Sequence, residues 1–152
     1  MPRRNRKETL QTIKIITRAA EHQMTTIGYD AMSYTTLSEK TGISRTGISH
    51  HFPCKSDFII ALSDKIYRRF IAYLNLDSDL NAFSNSWSES FSKRKFRGIL
   101  KLTLRNLITN DDSHQSSVSF IENLTALVVD KFGRDGKQEL ERLMGQSILL
   151  LK

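Results

Sequence analysis

Cysteine occurs once in the 152 residues, at position 54, which excludes an intramolecular disulfide framework and fits a reducing cytoplasm. Proline occurs only at positions 2 and 53, and no hairpin dipeptide separates alternating apolar runs, so strand signals are nearly absent. Long hydrophobic runs are missing too. The longest wholly apolar stretch, Ile148 to Leu151, is far too short to cross a bilayer, so no membrane partner is expected. The basic N-terminus MPRRNRKETL has no apolar segment behind it and does not read as a secretory signal. Catalytic patterns are equally scarce. There is no Ser/His/Asp motif, no Gly-rich phosphate loop and no carboxylate pair near a histidine, so neither an enzyme nor a cofactor is expected.

What is present is an ordinary globular composition, 39% apolar and 26% charged, in a chain long enough to bury a core. The net charge of +7 is unevenly spread. Residues 1–75 hold 12 Lys/Arg against 6 Asp/Glu, whereas residues 76–152 hold 11 against 10. That asymmetry suggests a module facing a polyanion joined to a neutral one, although a solvated basic surface would look the same.

Helical spacing recurs along the whole chain. Leu10, Ile13, Ile16, Ala20, Met24 and Ile27 follow three- and four-residue steps between Glu8 and Ile27, and Gly28 stops that helix. Ser33 is placed to cap a short helix over Tyr34 to Thr41, closed by Gly42. Ser44 caps another over Arg45 to His51, ended by Pro53. A longer helix is expected from Lys55 to about Leu74, with Phe58, Leu62, Ile66, Phe70 and Tyr73 on one side. The polar segment NLDSDLNAFSNS marks a junction, beyond which helices are expected near 80–92, 95–109, 117–132 and 135–151. NDDSHQSS and GRDGK read as their connecting loops. The fold class is therefore all-α.

The stretch TTLSEKTGISRTGISHHFPCKSDF is dense in hydroxyls, and its apolar residues Leu37, Ile43, Ile48 and Phe52 are few and regularly placed. Two short helices around Thr41-Gly42-Ile43 form a helix-turn-helix pattern, whose second helix must be polar outside because phosphates and base edges are its partners. The residues Ala19-Ala20, Met24, Gly28-Tyr29-Asp30-Ala31, Ser33, Leu37, Thr41-Gly42-Ile43-Ser44, Ile48, His50-His51-Phe52 and Lys55 resemble the N-terminal domain of TetR-type transcriptional regulators. The match runs without a gap over roughly residues 8 to 60.

The resemblance implies a three-helix DNA-binding head over residues 1–75, joined by a long helix to a short helical-bundle body over 76–152 that dimerises and takes a small-molecule effector. It also implies a sequence-specific transcriptional regulator, in particular a cytoplasmic repressor bound as a homodimer to a palindromic operator in double-stranded DNA. A TetR-shaped adaptor that binds another protein through its body is the rival. Carried over position by position, Tyr34 and Thr35 would touch the DNA backbone or an edge base. Arg45, Thr46 and Gly47 would start the recognition helix, Ser49 and His50 would follow one turn later, and His51 would sit near a phosphate. Lys55 would open the fourth helix, where its backbone N–H and the helix dipole hold a phosphate.

Three positions depart from the family pattern. Thr46-Gly47 stands where Gly-Thr or Gly-Ala is usual, Ser49 where tyrosine is usual, and Cys54 where Ser, Asn or Asp is favoured. Several residues carry two readings. Arg45 is either a solvated arginine or a bidentate guanine contact. His50-His51 lacks a companion at ligand spacing, which favours DNA contact over metal. Cys54 is a small residue in place of a serine cap, or a thiol sensor at a helix N-terminus. Arg3, Arg4, Arg6 and Lys7 form a phosphate-tracking arm or a solubilising tail. Phe83, Trp87, Phe91, Phe96 and Phe120 line an effector pocket or simply fill the core. Finally, Leu140, Leu143, Met144, Ser147, Ile148 and Leu151 form a stripe expected at a dimer interface, with Val118 to Val128 beside it. The chain stops at Lys152, where family bodies carry a further helix, so a smaller interface than usual is expected.

Overall fold

The computed structural model describes residues 5–152, and no strand occurs among them. Seven helices follow one another: α1 (Arg6–Thr26), α2 (Tyr34–Thr41), α3 (Arg45–His51), α4 (Ser56–Ile71), α5 (Leu80–Phe91), α6 (Arg94–Ile108) and α7 (His114–Leu150). Helix α1 starts with a capping box in which Asn5 and Glu8 each bond the other's backbone N–H region. Arg6 and Lys7 therefore belong to its first turn rather than to an arm. Arg3 and Arg4 lie outside the described residues.

The apolar stripe of α1 is shorter than its spacing suggests. Ile16, Ala20 and Met24 are fully buried, but Leu10 and Ile27 are exposed. Leu10 sits on the first turns of a helix whose buried residues begin only at Ile16, and Ile27 is already the C-cap. Helix α4 buries Phe58, Ile59, Leu62, Ile66 and Phe70 and forms the spine on which both ends of the molecule pack.

The C-terminal half differs most from expectation. The loop after α6 ends four residues early, because α7 begins at His114. The two helices expected on either side of GRDGK are both present within α7, but they meet at Gly133 alone (φ 63°, ψ −149°) rather than across a five-residue loop. That backbone region is open essentially to glycine alone, so one residue reverses the chain where a loop was expected. Just beyond it Gly136 is buried against Phe132 and Val128, which brings the two halves of α7 together.

Of the two readings of the aromatic set, pocket wall or core, the structure shows core packing. Phe70 stacks on Phe96 at 4.7 Å, and Trp87 meets both edge-on at 5.4–5.5 Å. Phe120 packs on Phe70 at 5.2 Å, and the Trp87 indole N–H donates to Ser147 Oγ at 2.9 Å. Phe83, Trp87 and Phe96 are buried core, and Phe91 is half-buried beside them. The α7 stripe is likewise divided. Leu140, Leu143 and Ser147 are buried within their own chain, Met144 and Leu151 are half-buried, and Ile148 is exposed, as are Leu149 and Leu150 beside it. No described helix is long and apolar enough to cross a membrane.

Candidate nucleic-acid interface

Helices α2 and α3 have only 8 and 7 residues, too short to persist in water on propensity alone. Side-chain caps and polar ties hold them instead. Ser33 and Thr36 cap α2 reciprocally, and Thr36 is gripped by Gln23 of α1, whose amide accepts from the Thr36 hydroxyl at 2.6 Å and donates to its carbonyl at 3.1 Å. Gly42 closes α2 at φ 73°, in the left-handed region the turn requires, and Ser44 caps α3 through Gly47 N–H at 3.0 Å. The Tyr34 hydroxyl donates to Phe52 O at 2.6 Å, so the start of α2 is tied to the end of α3. Phe52 in turn stacks on Phe58 of α4 at 4.6 Å.

Leu37 and Ile48 are fully buried, Phe52 nearly so, and Ile43 packs half-buried against them. With successive helical residues about 100° apart, Thr46 and His50 point directly away from Ile48, and Gly47 and Ser49 flank them. Arg45 stands at the first turn beside them. Arg45, Thr46, His50 and Thr35 are exposed, and Arg45 makes no ion pair among the described residues. Thr46 and His50 thus share the outward face of α3, with Arg45 exposed at its first turn and Gly47 and Ser49 half-buried at its sides. Ser49 Oγ turns back to donate to Thr46 O at 3.2 Å, so its hydroxyl is bound to its own helix. His51 is half-buried, its ring edge-on to that of His50 at 5.2 Å.

Two of the expected site residues are engaged elsewhere. Tyr34 spends its hydroxyl on Phe52, and burial raises its pKa, with Cys54 and Asp57 adding to the effect. Lys55 is folded back, its Nζ 4.4 Å above the Tyr29 ring and 3.4 Å from Asp30 O. Burial lowers its pKa, which Arg105 reinforces and Asp30 opposes. Its backbone forms the N-terminus of α4, where no side chain caps the helix. Asp57 reaches back to Cys54 N–H at 2.8 Å, and Cys54 itself is exposed.

Sequence reasoning did not single out the junction behind this surface. Arg105 of α6 donates to Asp30 Oδ1 at 2.8 Å and stacks 4.5 Å over Tyr29, the same ring that Lys55 covers, whose phenol pKa is pushed up to about 12 by burial first and Asp111 second. Arg94 Nε donates to Thr26 O at 3.1 Å. Between them Gly98 lies so close to α1 that a Cβ would stand 2.0 Å from Thr25 O. Glu21, Gln23 and Thr25 are buried polar residues of α1 that lie outside its apolar stripe, so the spacing of that stripe carried no signal for these contacts.

Residues 16–62 match the model of bacterial regulatory proteins of the tetR family. Residues 63–151, more than half the chain, match the tetracycline repressor LuxT C-terminal domain. Among curated proteins none matches the chain. With both of its parts matched in order and a helix-turn-helix exposed at the expected place, the chain belongs to the TetR family and is a DNA-binding transcriptional regulator.

Proposed function

We propose that the protein is a cytoplasmic repressor that binds a palindromic operator as a homodimer, with a head over about residues 1–75 and a body over 76–152. The observation that carries this reading is the outward face of α3, where Arg45 and Thr46 are exposed on a helix anchored by a single buried residue, Ile48. A polar face held rigid and left open is suited to base edges. In this reading Arg45, Thr46 and His50 contact bases. Gly47 allows close approach, Thr35, Ser49 and His51 lie along the backbone, and the N-terminus of α4 at Lys55 holds a phosphate. Tyr34 acts chiefly by bracing α2 on α3, and contributes to DNA through its ring and position.

Dimerisation is assigned to the exposed residues Ile108, Ile148, Leu149 and Leu150, next to an apolar groove of about 450 Å³ lined by Leu107, Ile121 and Met144 among others. Exposed aliphatic side chains beside an apolar groove are what an obligate partner surface needs. The buried aromatic set leaves no role for Phe83, Trp87 or Phe96 in holding an effector.

Selection from random-sequence DNA tests the proposal. An inverted repeat should be enriched, with half-site centres about 34–36 Å, or a whole number of turns, apart. A direct half-site with no symmetry would remove the dimer. Enrichment of no half-site would support the adaptor reading.

A further inference from the structure

A cleft of about 440 Å³ opens between α1, α4 and α6, on the seam between head and body. Its volume falls within the roughly 300–1,000 Å³ of small-molecule sites. Its walls carry Arg18, Lys65, Arg69 and Lys95 against one carboxylate, Glu21, with His22 beside them. Glu21 has 8% of its side chain exposed and binds both Lys65 Nζ, at 2.9 Å, and Arg69 Nε. One carboxylate is thus shared by two cations, and Arg18 and Lys95 border the same space with no ion pair among the described residues. The cleft holds a surplus of three positive charges before His22 is counted.

The start of α6 points the same way. It reads Lys93-Arg94-Lys95, with no acid in its first turn and no side-chain cap. Cations at the positive end of a helix are disfavoured, since the macrodipole and free N–H groups call for negative charge there. Two of the three have protein partners. Lys93 lies 5.2 Å over the Tyr73 ring, and Arg94 bonds Thr26 O. Lys95 has none among the described residues and borders the cleft.

We infer that this cleft binds a small polyanion, a metabolite with two or more carboxylate or phosphate groups, bridging Arg18 of α1 to Lys95 of α6. Low-dielectric walls and one-signed charge raise the local concentration of such an anion. Its binding draws the start of α6 toward α1, across the same seam where Gly98 meets Thr25. The orientation of the head on the body then depends on whether the anion is bound. This coupling rests on the reading of the chain as a DNA-binding regulator, but the binding itself does not.

Isothermal titration of the full chain with pyrophosphate, and separately with citrate, at ionic strength held constant with sodium chloride, tests the inference without DNA. Saturable one-to-one binding of at least one probe is expected, the two distinguishing a phosphate from a carboxylate ligand. Arg18→Ala and Lys95→Ala should each weaken it about tenfold or more, since each removes a charge-assisted contact. Both residues are exposed, so these variants should fold, and Lys131→Ala, outside the cleft, should bind as wild type. Failure of both probes to saturate, or equal binding by every variant, would overturn the inference. A second arm measures selected DNA with no probe present. If Arg18→Ala and Lys95→Ala each lower the salt dependence of DNA binding by about one unit, the cleft holds DNA phosphate and the inference falls. Unchanged DNA binding supports it.

Discussion

Between Ser33 and Phe52 the ties that fix the helices are polar: the Ser33–Thr36 box, the Gln23 clamp, the Ser44 cap and the Tyr34–Phe52 bond. Between Phe70 and Phe120 they are aromatic faces and edges, with one indole hydrogen bond to Ser147. The difference follows from what each region must leave exposed. A recognition helix with seven residues can give up only one, Ile48, to the interior, so hydrogen bonds at its ends replace the missing burial. The body has no such restriction and is filled with its largest side chains. On the proposed reading of α3, specificity and stability are carried by different residues, and substitutions should separate them.

The largest effect should fall on the body. Trp87→Ala removes a fully buried indole and leaves Ser147 without its donor, and is expected to cost about 3–5 kcal/mol in urea unfolding. A loss below the resolution of the measurement would contradict the aromatic core described above. At the seam, Gly98→Val places side-chain atoms where Thr25 O now lies, and overpacking of this kind costs about 1–3 kcal/mol or more. Thermal melts should show the loss, and DNA affinity should fall with it if α1 is displaced. In the head, Gln23→Ala removes both the acceptor of the Thr36 hydroxyl and the donor to the Thr36 carbonyl and should cost about 1–2 kcal/mol, with hydrogen exchange speeding up in α2 before α5. Uniform exchange across both would show that the head does not depend on its polar ties. The smallest effect is Cys54→Ser. Asp57 already reaches back to the N–H of residue 54, so a serine hydroxyl would complete the reciprocal cap and add about 0.5 kcal/mol. Operator affinity should stay unchanged in reducing and mildly oxidising buffer. A wild type that loses affinity on oxidation, while the serine variant does not, would make Cys54 a sensor.

The head was legible because its signals are local. Ser33, Gly42, Ser44 and Pro53 each bound a helix by a rule that involves only their neighbours, and α2 and α3 fall where those residues place them. The α7 break was only half legible: Gly133 marks the site, but sequence does not show that one positive-φ residue suffices where five loop-like residues stand. Long-range roles were hidden for a different reason. Tyr34 reads as a surface tyrosine until Phe52 O is seen beside it, 18 residues away. Arg105 finds Asp30 across 75 residues, and nothing in the spacing of α6 announces it. The aromatic set could not be assigned from spacing alone, since pocket walls and packed cores share the same period.

The most direct measurement compares wild type, Arg45→Ala and Lys55→Ala on a panel of single-base operator changes at two salt concentrations. If the outward face of α3 reads bases, Arg45→Ala should cost about 1–3 kcal/mol per half-site and relax preference at one base position. Lys55→Ala should weaken every sequence alike, and by less than one full phosphate contact, since its ammonium is folded onto Tyr29. Uniform loss from Arg45→Ala, with every base preference intact, would contradict the account and make Arg45 a phosphate contact.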